Sequence, residues 1–272
     1  MSRPKSSIVP DQLVRRANVH AGMKIRVRIR CVAQGFLGPI GNRAQEVLKH
    51  RSLGSVPAHI IRDMALAPPV LQGRIVRLEP LERHHIEALA AASAGDPPLY
   101  RWSPVPQGVP ATTAYVETAL AWRDAGKAMP FAIIRASDGL VIGSSRFFDI
   151  ERWAWPSGHP AHDRPGPDVC EIGYTWLARS AIRTGANTES KFLMLTHAFE
   201  VWQAIRVCFH TDVRNERSRA ALERIGAQFE GVLRAHRLAA DLIPRDSARY
   251  SILAGEWPLV KGRLQELLTA QR

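Results

Sequence analysis

The distribution of apolar residues between positions 171 and 209 constrains the fold of this chain most strongly. Residues 171–177, Glu-Ile-Gly-Tyr-Thr-Trp-Leu, are typical of a strand, and a Gly-containing turn follows them. Next comes an amphipathic helix whose apolar residues recur at steps of three and four: Phe192, Leu195, Phe199 and Trp202. Residues 205–209 form a second apolar strand. The helix must pack its apolar face on a sheet, so this stretch predicts a layered α/β domain.

Elements of both kinds flank this central stretch. Before it, the patterns predict a strand at 74–78, helices at 83–92 and 112–125, and strands at 131–134 and 141–143 around an Asp-Gly turn. After it, they predict a helix that opens at Asn215 and ends at Gly226, strands at 228–234 and 247–253, and a helix at 258–270. Residues 151–169 are expected to form a long loop. The order is typical of an α/β (α+β) fold with a mixed sheet.

The positive charge of the chain is concentrated near its N-terminus. The formal net charge is +12, yet residues 1–63 hold 12 Lys or Arg against 3 acidic residues. We therefore expect residues 1–70 to be a basic leader, either disordered or the product of a start codon assigned upstream of Met64. Residues 71–272 are expected to form the folded domain. A nucleic-acid partner is expected at most through the leader, because the remainder is nearly neutral.

The cysteine, histidine and hydropathy patterns argue against several other classes of protein. Cys31, Cys170 and Cys208 have no metal-like spacing, and the latter two lie in apolar strands, where buried reduced thiols are expected. The pair His84 and His85 is expected on the surface, so no metal site is predicted. No apolar run is long enough to cross a bilayer, and a cytoplasmic protein without membrane contact is expected.

The turn at residues 183–189, Arg-Thr-Gly-Ala-Asn-Thr-Glu, lies between the central strand and its helix. The first turn of a helix offers unpaired N–H groups and the positive end of the macrodipole, and a Gly lets a phosphate approach the backbone. Arg183 adds a positive charge. Taken alone, a Gly before a helix is more often just a turn.

A second stretch follows the next strand, and together with the turn it indicates a family. Residues 211–218, Thr-Asp-Val-Arg-Asn-Glu-Arg-Ser, lead into 220–227, Ala-Ala-Leu-Glu-Arg-Ile-Gly-Ala. Together with residues 73–81 and 171–174, this combination resembles the GNAT superfamily of N-acetyltransferases, in the branch of the ribosomal-protein N-terminal acetyltransferases of the RimJ and RimL type. The resemblance runs from about Leu71 to Leu253.

The resemblance implies both a fold and a cofactor site. The fold would have a mostly antiparallel sheet of six to seven strands, splayed between the fourth and fifth, with the pantetheine arm of acetyl-CoA between them. The cofactor's pyrophosphate would rest on the helix N-terminus. The implied cofactor-binding residues are Trp176, Leu177, Arg183, Thr184, Gly185, Ala186, Asn187, Thr188 and Asn215. Ile182 and Asn187 depart from the usual phosphate-binding pattern, so Arg183 is expected to replace its first position and Asn187 to cap the helix.

The expected reaction is acetyl transfer to a primary amine, on a small molecule or a protein N-terminus, by direct attack in a ternary complex. Glu171 is the first candidate for the general base, acting through a water, and Ser218 is placed near the thioester sulfur. His159, His162 and Asp149 are weaker candidates for the base. Trp153 and Trp155 either line the acceptor pocket or cover the sheet. A non-catalytic acyl-CoA-binding module is the alternative, and a monomer and a homodimer are both compatible with the sequence.

Overall fold

The computed structural model describes residues 68–95, 97–164, 166–239 and 241–270. Nearly all of the predicted leader, together with Cys31, lies outside these residues. Within them, no helix combines the length and the apolar character that a membrane crossing requires.

Eight strands form one sheet, in the order β1-β2-β3-β4-β5-β6-β8-β7. The strands are β1 (Leu71–Gln72), β2 (Val76–Pro80), β3 (Ala128–Arg135), β4 (Val141–Glu151), β5 (Val169–Leu177), β6 (Arg206–Asp212), β7 (Gln228–Leu238) and β8 (Pro244–Leu253). The α-helices are α1 (Ile86–Ser93), α2 (Gly108–Asp124), α3 (Ala186–Thr196), α4 (Glu216–Arg224) and α5 (Trp257–Thr269). The predicted order of elements is confirmed. The eighth strand is β1, whose two residues are too few to give a sequence pattern.

The two central strands, β5 and β6, pair over only a short distance. Every neighbouring pair in the sheet is antiparallel except this one, which is parallel and joins Val169 to Arg206, Cys170 to Val207 and Glu171 to Cys208. Beyond Glu171, β5 continues to Leu177 beside β4, and β6 continues beside β8. The predicted splay between these strands is therefore confirmed.

A β-bulge in β5 accompanies the divergence. Arg146 of β4 opposes Gly173 and Ser144 opposes Trp176, so one residue on β4 faces two on β5. Within the bulge Tyr174 has a φ of 51°, in the left-handed region. A bulge bends its strand and increases the local twist, which turns β5 away from β6.

The apolar core lies on both faces of the sheet. Helices α1 and α2 cover one face through a cluster that includes Leu89, Val116 and Leu120. The predicted amphipathic helix covers the other face with Leu195, which is fully buried. This helix corresponds to α3 and a following π-turn, His197–Val201, and Trp202 beyond the turn is also fully buried. Cys170 and Cys208 are buried free thiols, as the sequence predicts.

Helix α3 is anchored to the turn between β1 and β2 by a buried carboxylate. Glu189, in the first turn of α3, accepts hydrogen bonds from the backbone N–H groups of Arg74, Ile75 and Val76 at 2.5–3.0 Å. A Cβ at Gly73 would lie 2.5 Å from this carboxylate, so the turn has room only for glycine. The clamp fixes where α3 begins relative to the sheet.

Loss of the second carboxylate oxygen should weaken this anchor. We expect Glu189→Gln to lower the free energy of unfolding by about 2 kcal/mol, because an amide has one acceptor oxygen for three N–H groups that are buried or partly buried. Chemical denaturation against the exposed control Glu266→Gln on α5 measures the effect. Equal stability of the two variants would contradict this role for Glu189.

A buried lysine lies on the sheet-facing side of the same helix. Lys191 is 5% exposed and its Nζ donates to Thr175 Oγ1 at 2.6 Å, while Thr175 Oγ1 lies 2.7 Å from Ser145 Oγ. Burial lowers the pKa of Lys191 to about 7. An unfolded lysine has a pKa of about 10.4. At every pH where Lys191 is protonated in the folded protein, its burial therefore lowers the free energy of unfolding.

Replacing this lysine should therefore have an effect that depends on pH. We expect Lys191→Met to be more stable than the unaltered protein by on the order of 3 kcal/mol near pH 6, where the full penalty applies. The difference should shrink as the pH rises from about 7 towards 10, because the unfolded lysine then also loses its proton. Denaturant unfolding of both proteins across this range is the measurement, and a difference independent of pH would disprove the explanation.

Candidate functional site

A cavity of about 490 Å³ lies where β5 and β6 diverge. It contains nearly every site residue that the sequence predicts. The predicted residues that line it are Glu171, Trp176, Leu177, Arg183, Thr184, Gly185, Asn187, Thr188, Asn215 and Ser218. Ala186 is the exception, because its side chain is 1% exposed and packs in the core. Residues up to 47 positions apart in the chain, from Glu171 to Ser218, thus converge on one space between two strands.

The N-terminus of α3 opens towards this cavity. Gly185 is the N-cap residue, with a φ of 80°, and no side chain caps the helix. Asn187 therefore lies inside the first turn, and the expectation that it caps α3 is wrong: the left-handed glycine turns the chain two residues earlier. Without a side-chain cap, the first N–H groups of α3 are free for an anion.

Exposed arginines surround the same end of the cavity. Arg183, also at a left-handed φ of 63°, lines the cavity together with Arg217 and Arg224 of α4. Arg224 Nη2 donates to Thr188 Oγ1 at 3.1 Å, which ties α4 to the first turn of α3. Arg217 and Arg224 were not predicted, although their seven-residue spacing on one helix places them on one face. The arrangement suits a ligand with several phosphates.

Helix α4 presents the predicted Asn and Ser to the cavity. Asn215 is the N-cap residue of α4, and its Oδ1 accepts the backbone N–H of Ser218 at 3.1 Å. The prediction that Asn215 opens this helix is confirmed. Both residues line the cavity, so capping leaves the rest of the Asn215 amide and the Ser218 hydroxyl available to a ligand.

Glu171 is the last residue of β5 that pairs with β6, and its side chain is 3% exposed. One carboxylate oxygen, Oε2, lies 3.0 Å from Arg237 Nη2 and 2.8 Å from His210 Nδ1. The histidine contact is a close approach rather than an aligned hydrogen bond, since neither ring nitrogen of His210 has a hydrogen-bond partner among the described residues. Arg237 also binds Asp149 at 2.9 Å.

The weaker candidates for the base, Asp149, His159 and His162, do not line the cavity. Asp149 is outside the cavity lining, and burial, followed by the charge of Glu171, raises its pKa. His159 stacks on Trp155 at 4.3 Å, and His162 Nδ1 lies 2.8 Å from the Trp155 carbonyl. Neither Trp153 nor Trp155 lines the cavity, so the expectation that they line an acceptor pocket is not met there.

The cavity residues that were not predicted include four polar side chains from different strands: Tyr174, His210, Arg237 and Arg245. They come from β5, β6, β7 and β8, and no local motif connects them. Burial is the main cause of the raised pKa of Tyr174, which Arg146 and Arg237 partly oppose. Only the register of the sheet brings these side chains together, and the sequence carries no short-range signal for it.

The histidine pair at 84–85 lies away from this cavity. His84 is exposed, as expected, whereas His85 is 3% exposed, and its Nδ1 accepts the backbone N–H of Glu82 at 3.1 Å. The expectation of a surface position is therefore wrong for His85, because its ring completes the capping of the short 3-10 helix Arg83–His85. Glu79 lies 3.5 Å from His85 Nε2.

Several known proteins resemble this chain. YdaF of Bacillus subtilis (strain 168), provisionally named a ribosomal N-acetyltransferase, is 39% identical over 87 residues, which are 32% of this chain and 46% of YdaF. The chain thus spans about half the length of this curated relative. The crystal structure of a GCN5-related N-acetyltransferase from Brucella melitensis is 31% identical, with a TM-score of 0.61, over 74% of this chain and 85% of that one.

Another solved structure shares the fold at lower identity. Mycobacterium smegmatis RimJ, solved in complex with CoA-disulfide, is 24% identical, with a TM-score of 0.62, over 74% of this chain and 96% of that one. Residues 76–228 match the family described as acetyltransferase (GNAT) domain, which is more than half of the chain. This chain therefore belongs to the GNAT acetyltransferase family.

Proposed function

We propose that this protein transfers an acetyl group from acetyl-CoA to a primary amine by direct attack in a ternary complex. The observation that carries the proposal is the cavity between β5 and β6, with a free helix N-terminus at one end and the buried carboxylate of Glu171 at the other. A small amine or a protein N-terminus is the acceptor. The name of YdaF, a ribosomal N-acetyltransferase, favours a protein acceptor.

In this proposal acetyl-CoA binds along the splayed strands. Its pyrophosphate accepts hydrogen bonds from the N–H groups at residues 185–188, and Arg183, Arg217 and Arg224 offset its charge. Its pantetheine arm passes the unpaired edge of β5 at Trp176 and Leu177, and Asn215 contacts it from α4. The departures at Ile182 and Asn187 are compatible with this role, since backbone N–H groups and Gly185 supply the binding surface.

The reaction needs a neutral amine and stabilisation of the oxyanion. Glu171, acting through a water, accepts the proton as the amine nitrogen attacks the thioester carbon. A backbone N–H near Trp176 or Leu177 stabilises the tetrahedral oxyanion. As the intermediate collapses, the C–S bond breaks and the Ser218 hydroxyl donates a hydrogen bond to the departing thiolate. The thiolate takes up a proton from solvent and leaves as free coenzyme A, and Glu171 returns the proton of the amine to solvent.

The placement of the pyrophosphate leads to a binding prediction. We expect Arg183→Glu to weaken acetyl-CoA binding about tenfold at low salt, and less at high salt, because an exposed charge is screened. Calorimetric titration at two ionic strengths measures this, with Arg234→Glu as control, since Arg234 is exposed on β7 and absent from the cavity lining. Equal affinities of the two variants would place the phosphates elsewhere.

The role of Glu171 leads to a kinetic prediction. We expect Glu171→Gln to lower kcat about 100-fold while the Kd of acetyl-CoA changes less than about threefold, because the amide keeps the shape but accepts no proton. Asp149→Asn is the matched control, since Asp149 shares the partner Arg237 but lies outside the cavity lining. An equal loss in the control would mean that the carboxylates act only by holding Arg237.

The same assays separate catalysis from binding alone. If the unaltered protein binds acetyl-CoA but releases no free thiol with a broad panel of amines and peptides, a non-catalytic acyl-CoA-binding module becomes the better explanation.

A further inference from the structure

Arg245 lies at the end of the cavity that adjoins Glu171, and its guanidinium forms no salt bridge with any residue that the structure describes. Arg237 and Arg245 both line this end, and Arg237 is bound to the carboxylates of Glu171 and Asp149. The Nε of Arg245, in contrast, is buried and has no hydrogen-bond partner among the described residues. The nearby carboxylate of Asp212 is held through both oxygens by Arg214.

The surroundings of Arg245 leave its positive charge poorly compensated. Its pKa is lowered, first by burial and next by the charge of Arg237, and Asp212 and Glu171 offset this only in part. His236 lies in the same cluster, where burial followed by the charge of Arg237 lowers its pKa, and its Nδ1 finds no hydrogen-bond partner in the part of the chain that the structure describes. The ring of His210 is 4.8 Å away from that of His236. Unpaired buried donors are costly, and a bound anion would satisfy them.

A third guanidinium lies beneath this end of the cavity. Arg146 is 1% exposed, and neither its Nε nor its Nη2 has a hydrogen-bond partner among the described residues. Its charge is held over three aromatic rings, at 4.8, 5.6 and 4.2 Å from those of Tyr115, Trp122 and Tyr174. Tyr115 and Tyr174 line the cavity, so Arg146 adds positive potential to its wall.

We propose that Arg245 binds a carboxylate that the acceptor carries close to its amino group. This inference rests on the proposed function and specifies the class of acceptor. A planar carboxylate matches the guanidinium fork. Both an amino acid and a peptide with an acidic residue next to its N-terminus supply this chemistry.

Matched acceptors test the inference. One pair is 4-aminobutyrate and its amide, and the other is two peptides that differ only by Glu or Gln after the first residue. In at least one of the two pairs, we expect kcat/KM to be about tenfold or more higher for the acid than for its amide. The pair that shows this difference identifies the source of the carboxylate. Release of free coenzyme A is the readout.

Substitutions of Arg245 test whether this residue causes the preference for the acid over the amide. Arg245→Gln should reduce it to less than about threefold with little change for the neutral acceptor, and Arg245→Lys should keep part of it. Arg234→Gln on β7 removes an equal charge outside the cavity lining and should leave the preference intact. A wild-type protein that treats acid and amide alike in both pairs would overturn the inference, as would a preference that survives in Arg245→Gln.

A binding experiment keeps the inference separate from catalysis. In protein saturated with coenzyme A, calorimetry should show that the acids bind more tightly than the amides and that Arg245→Gln abolishes the difference. Absence of thiol release with every acceptor would contradict the proposed function, and the calorimetric comparison would still decide the inference. Equal binding of acid and amide in this experiment would overturn it.

Discussion

The divergence of β5 and β6 after three paired residues is the constraint on which the rest of the site depends. Each strand keeps a partner on its other side, β4 for β5 and β8 for β6, so the sheet remains continuous while its middle opens. Backbone groups along an opened edge lose their partners and need water or a ligand to replace them. The opening therefore supplies both the space and the hydrogen-bonding groups of the cavity.

The helices that border the opening are held by contacts that fix their N-termini. Glu189 ties the first turn of α3 to the turn between β1 and β2, and Thr188 in the same turn accepts from Arg224 of α4. Asn215 caps α4 and leaves α3 as the helix without a side-chain cap at the cavity. A free helix N-terminus is useful only when it is held in place, because an anion site loses affinity when its donors must be ordered on binding.

The sequence predicts local features well and convergent ones poorly. The order of elements and the Asn215 cap follow from periodicity and capping signals. The splay and most of the residues at the α3 end of the cavity follow from the resemblance to the GNAT superfamily. The ends of β4 and β7, the short β1 and the start of α2 at Gly108 lack such signals. His210, Arg237 and Arg245 meet Glu171 only through strand register, which no single segment encodes. Local sequence motifs therefore do not predict that these side chains lie together.

The two ends of the cavity use positive charge in physically different ways. The arginines near α3 are exposed, so salt screens them and each contributes modestly to attracting a multiply charged ligand. Arg146 is almost wholly buried and Arg245 has a buried Nε, where an uncompensated cation costs far more. The aromatic rings around Arg146 offset part of this cost, but its Nε and Nη2, like the Nε of Arg245, have no hydrogen-bond partner among the described residues. In the proposal made above, the carboxylate of the acceptor offsets this cost when it binds, so this end would select the acceptor by charge, whereas the exposed arginines at the other end would bind the phosphates of acetyl-CoA.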